Sequence, residues 1–168
     1  RFAVQVIATG LALWFLFPGF PSDPRAIAYI VFVFFATLWL TNLYNFMDGI
    51  DGYASLEAVL VALGLFAILY DQAGPTTAAS TLLILASSVL GFLVLNWSPA
   101  KIFMGDAGST FLGFFFAIFS LALNRHGLPL EVPAILLGAF IVDATYTLVV
   151  RAIRRQKLHV AHRDHAYQ

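Results

Sequence analysis

Six long apolar runs, separated by short polar connectors, decide most of what this chain can become. They cover roughly 2–17, 26–44, 53–70, 77–95, 110–124 and 132–150. A helix needs about 17–25 such residues to cross a bilayer. In hydrocarbon it satisfies its backbone N–H and C=O groups within its own segment. The expected fold is all-α: a polytopic transmembrane bundle of about six helices, forming a single domain over 1–168. The first and fifth runs are short, so they are expected to extend at their ends or to sit in locally thinned bilayer. The connectors near 18–24, 71–75 and 125–129 carry the Pro and Gly residues that stop helices.

Composition agrees. The chain is 61% hydrophobic and 11% charged, whereas soluble domains carry about 25% charged residues. Seventeen Phe, six Tyr and three Trp suit lipid-facing and interfacial positions. The lack of cysteine excludes disulfides and thiolate metal sites. Position 1 is Arg, not Met, and no small-residue cleavage site follows the first run. A fragment of a longer protein is therefore expected, and a signal peptide is not.

Lys and Arg set the orientation. With an even number of crossings both ends lie on one face, which collects Arg1, Lys101, Arg151, Arg154, Arg155, Lys157 and Arg163. The other face collects Arg25 and Arg125. That asymmetry makes the first face cytoplasmic. Three polar stretches then share it: 42–52, 96–110 and 151–165.

In the first stretch Asn42, Asn45, Asp48 and Asp51 recur every third residue. If the helix continues, all four project from one face. Gly49 and Gly52 allow close backbone approach by a ligand. Two carboxylates so placed repel unless a cation or donor lies between them. The bland alternative is a solvated helix end with capping aspartates. The calcium-loop pattern fails at its third position.

In the second stretch Asp106 lies between Gly105 and Gly108, and Ser109 or Thr110 is the expected cap of the fifth helix. A helix N-terminus beside an aspartate and a lysine can hold an anion and a metal together. Lys101 is within reach of a phosphate. The plainer reading is a helix cap and an interfacial lysine.

In the third stretch Arg154, Arg155 and Lys157 read as a topology anchor on anionic lipid. His162, Arg163 and His165 lack the zinc-protease pattern; imidazole and guanidinium suit a diphosphate. Asp143, inside the last apolar run, must face a polar interior. It pairs with a Tyr or Asn of another helix or serves the site. Glu57 reads as structural.

Two motifs, Asn45-Phe-Met-Asp48-Gly-Ile-Asp51-Gly52 and Pro99-Ala-Lys101-Ile-Phe-Met-Gly-Asp106-Ala-Gly-Ser109, stand in this order with a helix pair between them. With the histidine-bearing tail they resemble the polyprenyl-phosphate N-acetylhexosamine-1-phosphate transferases of glycosyltransferase family 4. That family includes the phospho-MurNAc-pentapeptide translocase and the initiating transferases of O-antigen and enterobacterial common antigen. The tail departs from the commoner histidine cluster, and its His-Ala-Tyr-Gln ending resembles the O-antigen subgroup. The resemblance implies a ten-helix bacterial enzyme of which this chain is the later part, short of the last helix. The family's adjacent aspartate pair is absent from these 168 residues.

The implied reaction moves a sugar 1-phosphate from a UDP-sugar to undecaprenyl phosphate and releases UMP. It takes place at the cytoplasmic face of the bacterial inner membrane, in cell-envelope glycan synthesis. The resemblance makes Asp106 a ligand to Mg2+, with Mn2+ as a substitute. It gives Asp48 and Asp51 catalytic roles at the nucleotide or the metal's waters, and Asn45 a bond to the nucleotide. Lys101 is assigned to a phosphate, and His162, Arg163 and His165 to the diphosphate. The apolar runs would keep the isoprenoid in lipid. The partners implied are a UDP-sugar, undecaprenyl phosphate and the bilayer, with no nucleic acid. The sugar, a homodimer, and direct attack against a covalent intermediate stay open.

Two rivals need weighing. Tyr70-Asp71 and Met104-Gly105-Asp106 mimic the paired motifs of intramembrane aspartyl proteases, but Phe103 stands where that family needs Gly. A transporter or channel would place polar residues near the bilayer midplane, and only Asp143 partly does so.

Overall fold

A computed structural model describes residues 2–19 and 21–153. Seven helices are found among them: α1 (Phe2–Leu16), α2 (Pro24–Met47), α3 (Tyr53–Ala73), α4 (Thr77–Asn96), α5 (Gly105–Arg125), α6 (Glu131–Leu136) and α7 (Gly138–Ile153). The helices α2 to α5 are each long and apolar enough to cross a membrane, while α1 is apolar but shorter.

Two departures from the sequence reading concern the last runs. The fifth helix is not short, because it begins at Gly105 rather than at Thr110 and runs for 21 residues. Neither Ser109 nor Thr110 caps it. Ser109 lies within the helix and its hydroxyl donates to the Gly105 carbonyl at 2.9 Å. The sixth run is two helices, α6 and α7, with Leu137 between them. Pro133 sits near the start of α6, where a missing N–H does least harm.

The helix starts elsewhere follow ordinary capping chemistry. Asp23 precedes Pro24 and accepts from the Arg25 N–H at 3.1 Å. Thr76 accepts from the Ala79 N–H at 3.1 Å. Each satisfies a donor that the first helical turn leaves without an intrahelical partner.

Side-chain bonds show that the long helices pair antiparallel. Tyr29, early in α2, donates to Asn124, late in α5, at 3.3 Å. At the other end Asn45 of α2 reaches Asp106 and Ser109 of α5. Likewise Ser55, early in α3, bonds Asn96, the last residue of α4. The α2–α3 turn and the α4–α5 loop therefore lie at one end of the bundle. The 17–24, 74–76 and 126–130 connectors lie at the other.

The core centres on Tyr44, whose ring lies 4.9 Å from that of Phe140 and 6.0 Å from that of Phe116. Large apolar side chains also cover the outside: Phe15, Ile84, Val94 and Ile135 are all more than 60% exposed. With four apolar spans, that surface belongs to a membrane-embedded bundle, whose solvent is hydrocarbon.

The α2–α5 contact is close because Gly113 has no side chain. A Cβ there would lie 2.7 Å from Tyr44 Cβ and 2.9 Å from Leu40 O and Thr41 Cα. Gly113→Ala is expected to destabilise the bundle by about 1–3 kcal/mol, the usual cost of overpacking. Gly91→Ala, whose Cβ would meet nothing within 4 Å, is expected to be neutral or to stabilise by up to ~1 kcal/mol. Thermal unfolding of the two variants in detergent compares them directly.

Candidate active site

The acidic end is built from two short connections. α2 stops at Met47, and Asp48 takes the C-cap position with φ −79° and ψ 50°. The chain then turns through Gly49–Gly52, and Gly52 has φ 77°, a left-handed conformation that favours glycine. A Cβ at Gly52 would also press at 3.4 Å on both Leu93 and Trp97. The base of this turn is tied by the buried Tyr44 hydroxyl, which donates to the Ala54 carbonyl at 2.7 Å. On the other side α4 ends at Asn96, and the loop back to α5 closes at Gly105, with φ 62°.

The helix does not continue past Met47, so the four polar residues of the first stretch do not share one face. Asn42 turns away from the acidic end and donates to Gln5 of α1 at 3.1 Å. Asn45 donates to Asp106 Oδ1 at 2.9 Å and to Ser109 Oγ at 2.8 Å. The Asp48 carboxylate accepts from the Gly105 N–H and senses the charge of Asp106. Asp51 lies one step aside, where Oδ2 accepts from the Ala100 N–H at 2.9 Å. Lys101 follows directly. Its side chain is exposed and its backbone N–H is held by Leu95 O at 2.8 Å. His162, Arg163 and His165 lie outside the described residues.

Asn45, Asp48 and Asp106 thus form one cluster at the N-terminus of α5, where the helix dipole favours negative charge. Asp71 sits near the far end of α3, so it cannot form a protease dyad with Asp106. Asp143 of α7 and Glu57 of α3 lie within electrostatic reach of Tyr53, at the start of α3 beyond the turn.

Burial is the main reason that the Asp48 carboxyl is pushed up to about 6. The Gly105 N–H opposes that rise, and the negative charge of Asp106 adds to it. Two carboxylates and a carboxamide offer oxygen donors only. Among the described residues no three His, Cys, Asp or Glu side chains surround a common point. The two carboxylates fit a hard, hydrated cation such as Mg2+, which takes one or two carboxylates and keeps waters or substrate phosphates as its other ligands.

Two residues in the site, Ser109 and Asn96, carry no binding role in the sequence reading. Ser109 holds Asn45. Asn96, 4% exposed, accepts from the Gly52 N–H at 3.1 Å and the Ser55 hydroxyl at 2.7 Å. It also donates to the Ile102 carbonyl at 2.9 Å. A lone amide at the end of an apolar run is the only sign of it in the sequence.

A family model for glycosyl transferase family 4 matches residues 1–124. The chain belongs to glycosyl transferase family 4. A Bacillus subtilis relative, the probable undecaprenyl-phosphate N-acetylglucosaminyl 1-phosphate transferase, is 32% identical over 98% of this chain and 47% of its own length. The phospho-N-acetylmuramoyl-pentapeptide-transferase of Staphylococcus carnosus is 33% identical over 77% of the chain and 39% of its own length. That of Streptococcus thermophilus is 33% identical over 90% and 45%. The chain spans less than half the length of these family members.

The raised Asp48 carboxyl has two consequences with definite signs. In the metal-free protein its stabilising contribution is full below about pH 4, its unfolded value, and is lost as pH rises through about 6. A cation bound here competes with that proton. Mn2+ affinity of the full-length protein is expected to fall about tenfold per pH unit below about 6 and to level off above it. Titrations followed by the EPR signal of free Mn2+ check this slope, and a flat profile from pH 5 to about 7 would rule it out.

Proposed function

We propose that the full-length protein transfers a sugar 1-phosphate from a UDP-sugar to a polyprenyl phosphate at the cytoplasmic membrane face. The bond between the β-phosphorus and the bridging oxygen of UMP breaks, and a bond from that phosphorus to a polyprenyl phosphate oxygen forms. UMP leaves with the bridging oxygen. The observation that carries this reading is the convergence of Asn45, Asp48 and Asp106 at the start of α5, in a member of this family.

The chemistry joins two anions, so it needs charge neutralisation and in-line positioning. Asp106 and Asp48 would hold Mg2+, which when bound neutralises the diphosphate. Asn45 orients Asp106, and since both its amide hydrogens are taken a bond to the nucleotide would run through its carbonyl oxygen. Asp51 fixes the Ala100–Lys101 segment through its bond to the Ala100 N–H, and the exposed Lys101 ammonium meets a phosphate. His162, Arg163 and His165 would bind the diphosphate. The isoprenoid lies along the apolar helices. A cleft of 160 Å³ lined by Phe32, Ala36, Leu40, Leu121 and Pro133 is one stretch of such a surface.

The test is Mg2+-dependent UMP release from UDP-GlcNAc and undecaprenyl phosphate by the full-length protein, followed by a panel of UDP-sugars. Asp106→Asn is expected to lower turnover by at least about 10²–10³-fold, the scale of losing one transition-state electrostatic contact, in a protein that still folds and inserts. Lys101→Ala is expected to raise the KM for the UDP-sugar by about tenfold or more, the worth of one charge-assisted bond. Substrate movement across the membrane without UMP release would overturn the reading in favour of a transporter.

A further inference from the structure

We propose that Asn96 is a positioning residue whose side-chain amide fixes the separation between the turn that carries Asp48 and Asp51 and the loop that leads into Asp106, without touching substrate. The inference rests on the reading of that end as a metal-dependent transferase site.

An asparagine side chain offers one oxygen with two lone pairs and one nitrogen with two hydrogens. At Asn96 both lone pairs are taken, by the Gly52 N–H and the Ser55 hydroxyl. One N–H is taken by the Ile102 carbonyl. The partners come from three places: the turn before α3, the first turn of α3, and the loop before α5. Gly52 is next to Asp51. Ile102 lies three residues before Gly105, whose N–H holds Asp48.

Two further links join the same segments, Asp51 to Ala100 and Asp48 to Gly105. Both use carboxylates, the groups that the proposed reaction assigns to the metal and to the loop bearing Lys101. The Asn96 link is neutral, and the residue is 4% exposed. It joins the turn before α3, the first turn of α3 and the loop before α5 in one buried, uncharged junction, and so it sets the register of the site. No other side chain of this size both accepts twice and donates at that geometry. Aspartate keeps the two acceptor bonds but sets an oxygen against the Ile102 carbonyl. Alanine leaves the Gly52 N–H and the Ile102 carbonyl without a side-chain partner.

The experiment uses the full-length protein in nanodiscs. It measures the Mn2+ dissociation constant by EPR, kcat and KM for UMP release, and thermal stability. Asn96→Asp is expected to weaken Mn2+ binding by about tenfold and to lower kcat by about 10–100-fold, the range for residues that orient a metal site from behind. The UDP-sugar KM should change by less than about threefold, because no contact to the nucleotide is lost. Ser55→Ala removes one of the three bonds and should weaken Mn2+ binding by a smaller factor, about two- to fivefold.

A merely structural Asn96 would give lower thermal stability with wild-type Mn2+ affinity and wild-type kcat per folded molecule. That result overturns the proposal. Should Asn96→Asp fail to insert, Ser55→Ala decides alone, since it only trims a hydroxyl. Absence of UMP release by the wild type would instead sink the transferase reading, while the Mn2+ affinities still judge Asn96.

Discussion

Where α2 ends and α5 begins, one carboxamide joins a carboxylate to a hydroxyl across the interface. Asn45 Nδ2 lies 2.9 Å from Asp106 Oδ1 and 2.8 Å from Ser109 Oγ. Bonds of that length require the two helix backbones to run close together. Gly113, two turns further along α5, supplies that closeness by presenting only a hydrogen to Tyr44 and Thr41. In a membrane the approach is held by packing and polar contacts, because lipid is as apolar as the helix surface. The geometry of the acidic cluster therefore depends on an apolar contact some distance away, and the two cannot be varied independently.

The electrostatics follow from the same arrangement. Asp48 and Asp106 are brought together at a helix N-terminus, whose dipole favours both. Burial and mutual repulsion oppose it, and they win at Asp48, whose carboxyl is held at about 6. A pair in that condition takes a proton or a divalent cation readily. The cost of crowding the charges is borne by a rigid frame of neutral hydrogen bonds.

Much of this was legible in the sequence, and the limits have physical causes. The apolar runs located α1 to α4 closely, since lipid demands long uninterrupted helices. The start of α5 was misplaced because Asp106, Gly108 and Ser109 look like loop chemistry. Their side chains are used by the site, while their backbones are helical from Gly105. The break near Leu137 has no polar marker. The three-residue spacing of Asn42, Asn45, Asp48 and Asp51 pointed to one helix face, and that expectation failed because periodicity cannot tell where a helix stops. Asn96 opens the second polar stretch, but its role was illegible for a simpler reason: its partners lie up to 44 residues away in the chain.

The buried bond from the Tyr44 hydroxyl to the Ala54 carbonyl spans ten residues and has an entropic meaning. It closes the turn at its neck, so the segment bearing Asp48 and Asp51 is a short tethered arc with little backbone freedom left to lose. Ordering a free segment of that length on ligand capture would cost on the order of 1–2 kcal/mol per residue. Here that cost falls on folding. What remains to be ordered there is rotation about a few side-chain bonds.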